Sequence, residues 1–231
     1  MTEELPLVIS LHYKHTHIGK GWKLLMKRAI DIFLSATMLL FFSIPMALVA
    51  SAVKITSLGP VLYWSKRRGK NNRIFWMPKF RTMRVDTPVV ATRHLNDPDF
   101  WMTPIGNLLR NTSLDELPQL WSILKGNMSF VGPRPILLCE DDLIDLRTSR
   151  GVHTLKVGLT GWAQVNGREE LAVPDKVEFD VFYLENQTLR FDVKIILITV
   201  WKVISREGTV ASQQPASSPV AEEISPRRKA A

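Results

Sequence analysis

Apolar residues fill positions 29–53 almost without interruption, and Asp31 is the only charge among them. Roughly 25 residues of helix, at 1.5 Å rise each, exceed a hydrocarbon core about 30 Å thick, so the segment reads as a membrane helix. A buried helix of a soluble core is the alternative. Lys20, Lys23, Lys27 and Arg28 precede it, and Lys54, Lys66, Arg67, Arg68, Lys70 and Arg73 follow it. A single crossing normally carries its cations on one side. Pro45 lacks a backbone donor and its ring meets the carbonyl of Phe41, while the Ser43 hydroxyl is placed to satisfy a freed carbonyl. The pattern therefore predicts a helix bent at Ser43 and Pro45 that returns to the face it entered, with a proline-kinked simple span as the other reading. Asp31 is expected to pair with Lys27 or Arg28 at helical spacing, and those two cations to anchor to anionic lipid.

Beyond this segment the apolar runs shorten. Gly59-Pro60 makes a turn before Val61-Leu62-Tyr63-Trp64, and Gly69-Lys70-Asn71-Asn72 makes another before Ile74-Phe75-Trp76, which predicts a hairpin. In Lys79-Phe80-Arg81-Thr82-Met83-Arg84 the cations alternate, so an extended segment would send them to one face, with plain solvated charge as the alternative. Residues 86–102 read as a loop and 105–110 as a short helix. Ser113-Leu114-Asp115-Glu116 fits a capping box, Ser113 as N-cap and Glu116 at its third position, opening a helix through Leu117, Leu120, Trp121 and Leu124 that ends at Gly126-Asn127. Residues 193–204 are too few to span a bilayer; they lie in its interface or pack on the domain. From Gly208 the composition is that of a disordered tail.

The 231 residues permit one domain, and a formal charge of +8 points to a polyanion: nucleic acid, lipid head groups or phosphorylated substrates. No zinc-finger, helix-turn-helix or RNA-recognition signature supports the first, and no Walker A or Gly-x-Gly-x-x-Gly run supports an ATPase or dinucleotide enzyme. Cys139 is the only cysteine, which excludes an internal disulfide framework, and Met1-Thr2-Glu3-Glu4 lacks the basic start of a secretory signal. The catalytic part is expected in the cytoplasm. His15 and His17 read as surface residues.

The chemistry concentrates at Asp115 and Glu116, just after Arg110 and before Gly132-Pro133-Arg134-Pro135. A carboxylate approaching phosphorus is repelled by the phosphoryl oxygens unless guanidinium groups, backbone N–H groups or a divalent cation absorb the charge. Helix capping explains Glu116, and Asp115 in part through the helix dipole; capping and catalysis are compatible. Two prolines around Arg134 make a rigid turn that directs it, or else simply stop a strand. Gly158-Leu159-Thr160-Gly161-Trp162-Ala163-Gln164-Val165-Asn166-Gly167-Arg168 joins turn glycines to amide, aromatic and guanidinium groups suited to a nucleotide or sugar.

Four of these stretches, Lys79-Phe80-Arg81-Thr82-Met83, Ser113-Leu114-Asp115-Glu116-Leu117-Pro118-Gln119-Leu120, Val131-Gly132-Pro133-Arg134-Pro135 and Thr160-Gly161-Trp162-Ala163-Gln164-Val165-Asn166-Gly167-Arg168, resemble the bacterial sugar transferases, the monotopic phosphoglycosyl transferases of small, single-domain type. Order and spacing agree over residues 27–205. The resemblance implies an α+β fold: a re-entrant membrane helix (29–53), then a mostly helical cytoplasmic catalytic domain with a small β-hairpin and interfacial amphipathic helices. The domain would span 20–207, between an N-terminal extension (1–19) and the tail (208–231). It further implies transfer of a sugar 1-phosphate from a UDP-sugar to undecaprenyl phosphate, with release of UMP, as the first membrane step of polysaccharide or glycoconjugate synthesis, such as that of exopolysaccharide or lipopolysaccharide, at the bacterial inner membrane. By position Asp115 would be the nucleophile, forming an aspartyl-phosphosugar, and Glu116 would help hold Mg²⁺. Arg110 and Arg134 would bind phosphate, Lys79, Arg81, Gln164, Asn166 and Arg168 would support substrate, and Asp180 would lie near the polyprenyl phosphate. The resemblance leans toward an N-acetylated hexosamine and is compatible with a homodimer. The family's helix break is commonly Ser-Pro, whereas Ile44 separates Ser43 from Pro45 here. A membrane-anchored scaffold without catalysis is the alternative function.

Overall fold

The computed structural model describes residues 6–88, 97–167 and 171–205, with side chains from Trp22 onward. Helix α1 runs over Pro6–Phe41 without a break at residue 20, and α2 follows at Ser43–Thr56. Phe42 separates them (φ −88°, ψ 6°), and the two axes differ by 61°. Two backbone bonds flank the bend: Phe42 N–H donates to the Met38 carbonyl and Met46 N–H to the Phe42 carbonyl, both at 2.8 Å. Ser43 Oγ donates to the Leu40 carbonyl at 2.7 Å, as its position implies. Pro45 falls in the first turn of α2, where its missing N–H is no loss. No described helix alone is long and apolar enough to cross a membrane; the bent pair meets that measure together.

Two strands, β1 (Leu62–Arg68) and β2 (Ile74–Phe80), form the expected antiparallel hairpin, with Tyr63 opposite Lys79 and Lys66 opposite Trp76. Its turn is closed by Gly69 N–H on the Arg73 carbonyl, with Asn71 and Asn72 in the left-handed region. After α3 (Gly106–Asn111) and a 3-10 turn at Leu114–Glu116, α4 covers Gln119–Lys125 and stops at Gly126, whose φ of 92° suits glycine. Strand β3 (Ser129–Val131) precedes β4 (Ile136–Leu137), which adds to the other edge of β1 at Arg67 and Arg68. Helix α5 (Asp141–Ser149) leads to β5 (Gly158–Thr160), which pairs in parallel with β3. That second sheet went unpredicted. It depends on glycines: a Cβ at Gly132 would stand 2.2 Å from the Lys156 carbonyl oxygen, and one at Gly161 2.1 Å from the Gly132 carbonyl oxygen. The short α6 (Trp162–Val165), α7 (Val173–Glu185) and α8 (Leu189–Ile204) complete the chain, α8 opening with Thr188 Oγ1 accepting from Phe191 N–H.

The main core joins Met77 of β2, Leu120 and Ile123 of α4, Phe130 and Val131 of β3, Tyr183 of α7 and Ile195 of α8. A second cluster, Val53, Phe80 and Leu109, fixes α2 on β2 and α3. Polar groups lock α1 onto this body. Asp31, 3% exposed, accepts from Ser129 Oγ and Phe130 N–H at 3.1 Å each. Lys27 Nζ pairs with Asp192 Oδ2 at 2.5 Å and donates to the Val131 carbonyl at 3.1 Å. Arg28 donates to the carbonyls of Ile123 and Leu124, at 2.6 and 2.7 Å, at the end of α4. The expected pairing of Asp31 with Lys27 or Arg28 is thus not made. A helical ion pair contributes only a few tenths of a kcal/mol, whereas the buried backbone groups of β3 and the last carbonyls of α4 require partners.

In α8 residues 193–204 pack on the domain along one face and leave an apolar face exposed along the other. Asp192 and Ile195 are buried against the domain, while Val193, Leu197, Val200, Trp201 and Ile204 form an exposed apolar stripe. The tail from Gly208 lies outside the described residues.

Candidate active site

Asp115 and Glu116 sit in the 3-10 turn that packs against β2. Ser113 precedes the turn in the left-handed region (φ 57°), and its hydroxyl makes no capping bond; α4 starts only at Gln119, after Pro118. The expected capping box is therefore absent. Instead Glu116 Oε1 takes a 2.8 Å hydrogen bond from Lys79 Nζ, near the end of β2.

The two neighbouring carboxyls end in different electrostatic states. Asp115 is 7% exposed, and burial pushes its pKa up to about 6, with Glu116 adding to the rise and Lys79 and Arg110 opposing it. Burial also opposes ionisation of Glu116, but Lys79 and then Arg134 outweigh it and hold that carboxyl below its ordinary value. At neutral pH both are ionised. Asp115 keeps the more basic carboxylate of the two. Arg110, from α3, is near enough to act on Asp115 and also donates from Nε to Thr82 Oγ1 at 3.1 Å.

Arg134 projects from a turn whose backbone is held at three successive carbonyls. Gly158 N–H donates to Pro133 at 2.9 Å, Arg147 Nη1 to Arg134 at 2.7 Å, and Arg67 Nη1 to Pro135 at 3.3 Å. The turn is thus directed, as the flanking prolines imply. Arg147 is itself fixed by Asp180, Nη2 to Oδ2 at 2.6 Å. Asp180 is 1% exposed, so its carboxylate supports the turn from inside and does not present itself to a ligand. Desolvation raises the Asp180 pKa against the pull of Arg147.

The structure brings Lys79, Arg110 and Arg134 to the acid pair, while Arg81, Asn166 and Asp180 are engaged by other parts of the protein. Arg81 is buried, donating to the carbonyls of Ser57 (2.9 Å) and Leu58 (2.6 Å) beyond the end of α2, and Arg84 pairs with Asp86. The regular strand ends at Phe80, so alternate spacing no longer sets a common direction. A cleft of about 530 Å³ beside Arg81, lined also by Gly59, Arg84 and Thr103, contains neither acid. Asn166 Nδ2 bonds to the Trp162 carbonyl of its own turn, and Gln164 Oε1 is buried without a hydrogen-bond partner. Trp162 packs among Phe182 and Phe191, with centroids 6.0 and 4.9 Å away, which fills its faces with protein. Arg168 lies outside the described residues.

One cation was missed. Arg67 of β1 bonds to Ser65 Oγ (2.9 Å) and to the Pro135 carbonyl, and its electrostatic neighbours include Arg134, Glu140, Tyr63 and Glu116. Burial first, and Arg134 next, lower its pKa to about 10. Read as flanking charge of the membrane segment, it lay hidden; the alternation from Tyr63 through Ser65 to Arg67, once the hairpin register is set, places it on the face of Lys79.

The family described as bacterial sugar transferase matches residues 22–206. A UDP-glucose:undecaprenyl-phosphate glucose-1-phosphate transferase of Escherichia coli (strain K12) is 42% identical over 193 residues, which make 79% of this chain and 41% of that protein. An uncharacterized sugar transferase, EpsL, of Bacillus subtilis (strain 168) is 36% identical over 187 residues, 80% of this chain and 90% of that protein. The exopolysaccharide production protein ExoY of Rhizobium meliloti (strain 1021) is 38% identical over 202 residues, 79% and 87% of the two chains. The chain therefore spans about two fifths of the first of these and nearly all of the other two.

Proposed function

The chain belongs to the bacterial sugar transferase family, and on that premise we propose that it transfers a sugar 1-phosphate from a UDP-sugar to undecaprenyl phosphate through a covalent intermediate on Asp115. The observation that carries this reading is the unequal acid pair: Lys79 binds Glu116, while the buried Asp115 beside it retains a basic carboxylate. A carboxylate oxygen of Asp115 attacks the sugar-linked phosphorus, and the bond from that phosphorus to the bridging oxygen breaks. UMP leaves with the electron pair. An oxygen of the polyprenyl phosphate then attacks the same phosphorus, and the Asp115 carboxylate departs unchanged. Arg110, Arg134 and Arg67 absorb charge that would otherwise repel the attacking group.

Mg²⁺ fits this residue set as a companion of the diphosphate. No group of three or more His, Cys, Asp or Glu among the described residues makes a metal cage, but Mg²⁺ commonly binds through one or two carboxylates plus substrate phosphates. Glu116 would hold it. Its contribution when bound is to neutralise charge on the diphosphate.

Two apolar surfaces support a membrane setting, the bent pair α1 and α2 and the stripe on α8. In our reading the pair enters and leaves one face of the inner membrane, α8 lies in the interface, and the acids face the cytoplasm. Exopolysaccharide or lipopolysaccharide assembly would then receive the product.

The test uses nanodisc-held protein with Mg²⁺, undecaprenyl phosphate and a panel of UDP-sugars, led by UDP-glucose and the N-acetylhexosamines. UMP released by the wild type and not by Asp115→Asn is the expected result. UDP release instead, or equal UMP from both proteins, rejects the mechanism.

A further inference from the structure

We propose that Tyr63 is the aromatic wall on which the donor's nucleobase lies; this deepens the UDP-sugar reading above and rests on it. Strand alternation divides the hairpin into two faces. Trp64 and Lys66 of β1 share one with Ile74 and Trp76 of β2, and there Lys66 Nζ stands 4.9 Å from the Trp76 ring centroid. Tyr63, Ser65 and Arg67 share the other with Lys79 and the core residue Met77. That second face meets the 3-10 turn through the bond from Lys79 to Glu116. Among the exposed aromatics of the hairpin, Tyr63 alone therefore looks toward the acid pair.

Its surroundings match a nucleotide. Directly across the ladder is Lys79, at a separation where opposed side chains touch. Four residues along the same strand is Arg67, within electrostatic reach of Tyr63 as well as of Arg134 and Glu116. Strand β4 pairs with β1 only at Arg67 and Arg68, and among the described residues no strand covers the Tyr63 end of that edge. Tyr63 is 44% exposed, between cations that would take the diphosphate. A nucleobase is planar and uncharged, so the cations that hold its phosphates give it no purchase. An exposed ring beside them does. Base–aromatic stacking tolerates any base, so Tyr63 supplies affinity for the nucleotide without selecting uracil.

The experiment compares Tyr63→Leu, Tyr63→Phe and the wild type as full chains in nanodiscs, measuring UMP affinity by calorimetry and KM for the UDP-sugar and for undecaprenyl phosphate. Tyr63→Leu should weaken UMP binding about ten-fold or more and raise the donor KM in step. Tyr63→Phe should bind UMP as the wild type does, and the acceptor KM should not move. Unchanged UMP affinity in Tyr63→Leu overturns the proposal. So does a Phe variant as impaired as the Leu variant, because the hydroxyl would then be the active group. Calorimetry requires no turnover: a protein that binds UMP through Tyr63 yet releases none from any donor refutes the transferase reading and leaves the binding wall standing.

Discussion

Lys79 Nζ stands 2.8 Å from Glu116 Oε1, and this one ion pair makes adjacent carboxyls unequal. Lys79 stabilises the ionised form of both, but at Glu116 its hydrogen bond and the charge of Arg134 outweigh desolvation, whereas at Asp115 desolvation prevails and that carboxyl stays the more basic.

The first expectation concerns rate against pH. Asp115 must be ionised to attack, so kcat/KM for the donor should fall about ten-fold per unit below the Asp115 pKa of about 6. Lys79 lowers that pKa, so Lys79→Met should shift the acid limb to higher pH. Initial rates from pH 5 to 9 decide this, and a limb that stays in place excludes the role given to Lys79.

Stability should move in the opposite sense. A carboxyl whose folded pKa is raised from 3.8 to about 6 binds its proton more tightly in the folded state. Its contribution is full below about pH 3.8 and is lost as pH rises through about 6. At neutral pH the ionised Asp115 therefore costs about 3 kcal/mol, and Asp115→Asn should unfold at a higher temperature than the wild type. The gap should close from pH 6 toward pH 4, as thermal melts in one detergent at several pH values would show.

Asp180 distinguishes internal support from acceptor binding. Breaking its buried pair with Arg147 should destabilise the protein by about 3–5 kcal/mol in Asp180→Ala, read by urea unfolding. A residue that met the polyprenyl phosphate would raise the acceptor KM and leave unfolding unchanged.

Lys27 gives the same contrast at the membrane. Lys27→Met leaves Asp192 and the Val131 carbonyl without their cation, and a loss of about 3–5 kcal/mol is expected. Binding to anionic vesicles should scarcely change. A Lys27 that served mainly to hold lipid would show the reverse.

What the sequence disclosed was local. The hairpin was legible because both of its turns are written in adjacent residues, Gly59-Pro60 and Gly69-Lys70-Asn71-Asn72, and the helix break because Ser43 and Pro45 act within one turn. The acid pair and Arg134 were legible as motifs of a family. Arg147 and Asp180 are 33 residues apart, and Ser129 pairs with Gly158 across an intervening helix and strand; no local periodicity links such positions. Lys27, Arg28 and Asp31 misled for a related reason, because helical spacing offers neighbours whatever the rest of the chain brings. Arg81 shows the limit of a motif: it stands beside the site's lysine in sequence, yet the chain leaves the sheet between them and Arg81 serves the end of α2.

The held turn at Pro133, Arg134 and Pro135 has a thermodynamic consequence. Two proline rings restrict its backbone torsions, and hydrogen bonds from β5, α5 and β1 occupy its carbonyls, so the guanidinium stem begins from a fixed origin. An anion arriving there removes only the rotamer freedom of one side chain, because the main chain beneath was already ordered when the protein folded. The entropy of building that point of contact belongs to folding, and it need not be lost again at each turnover.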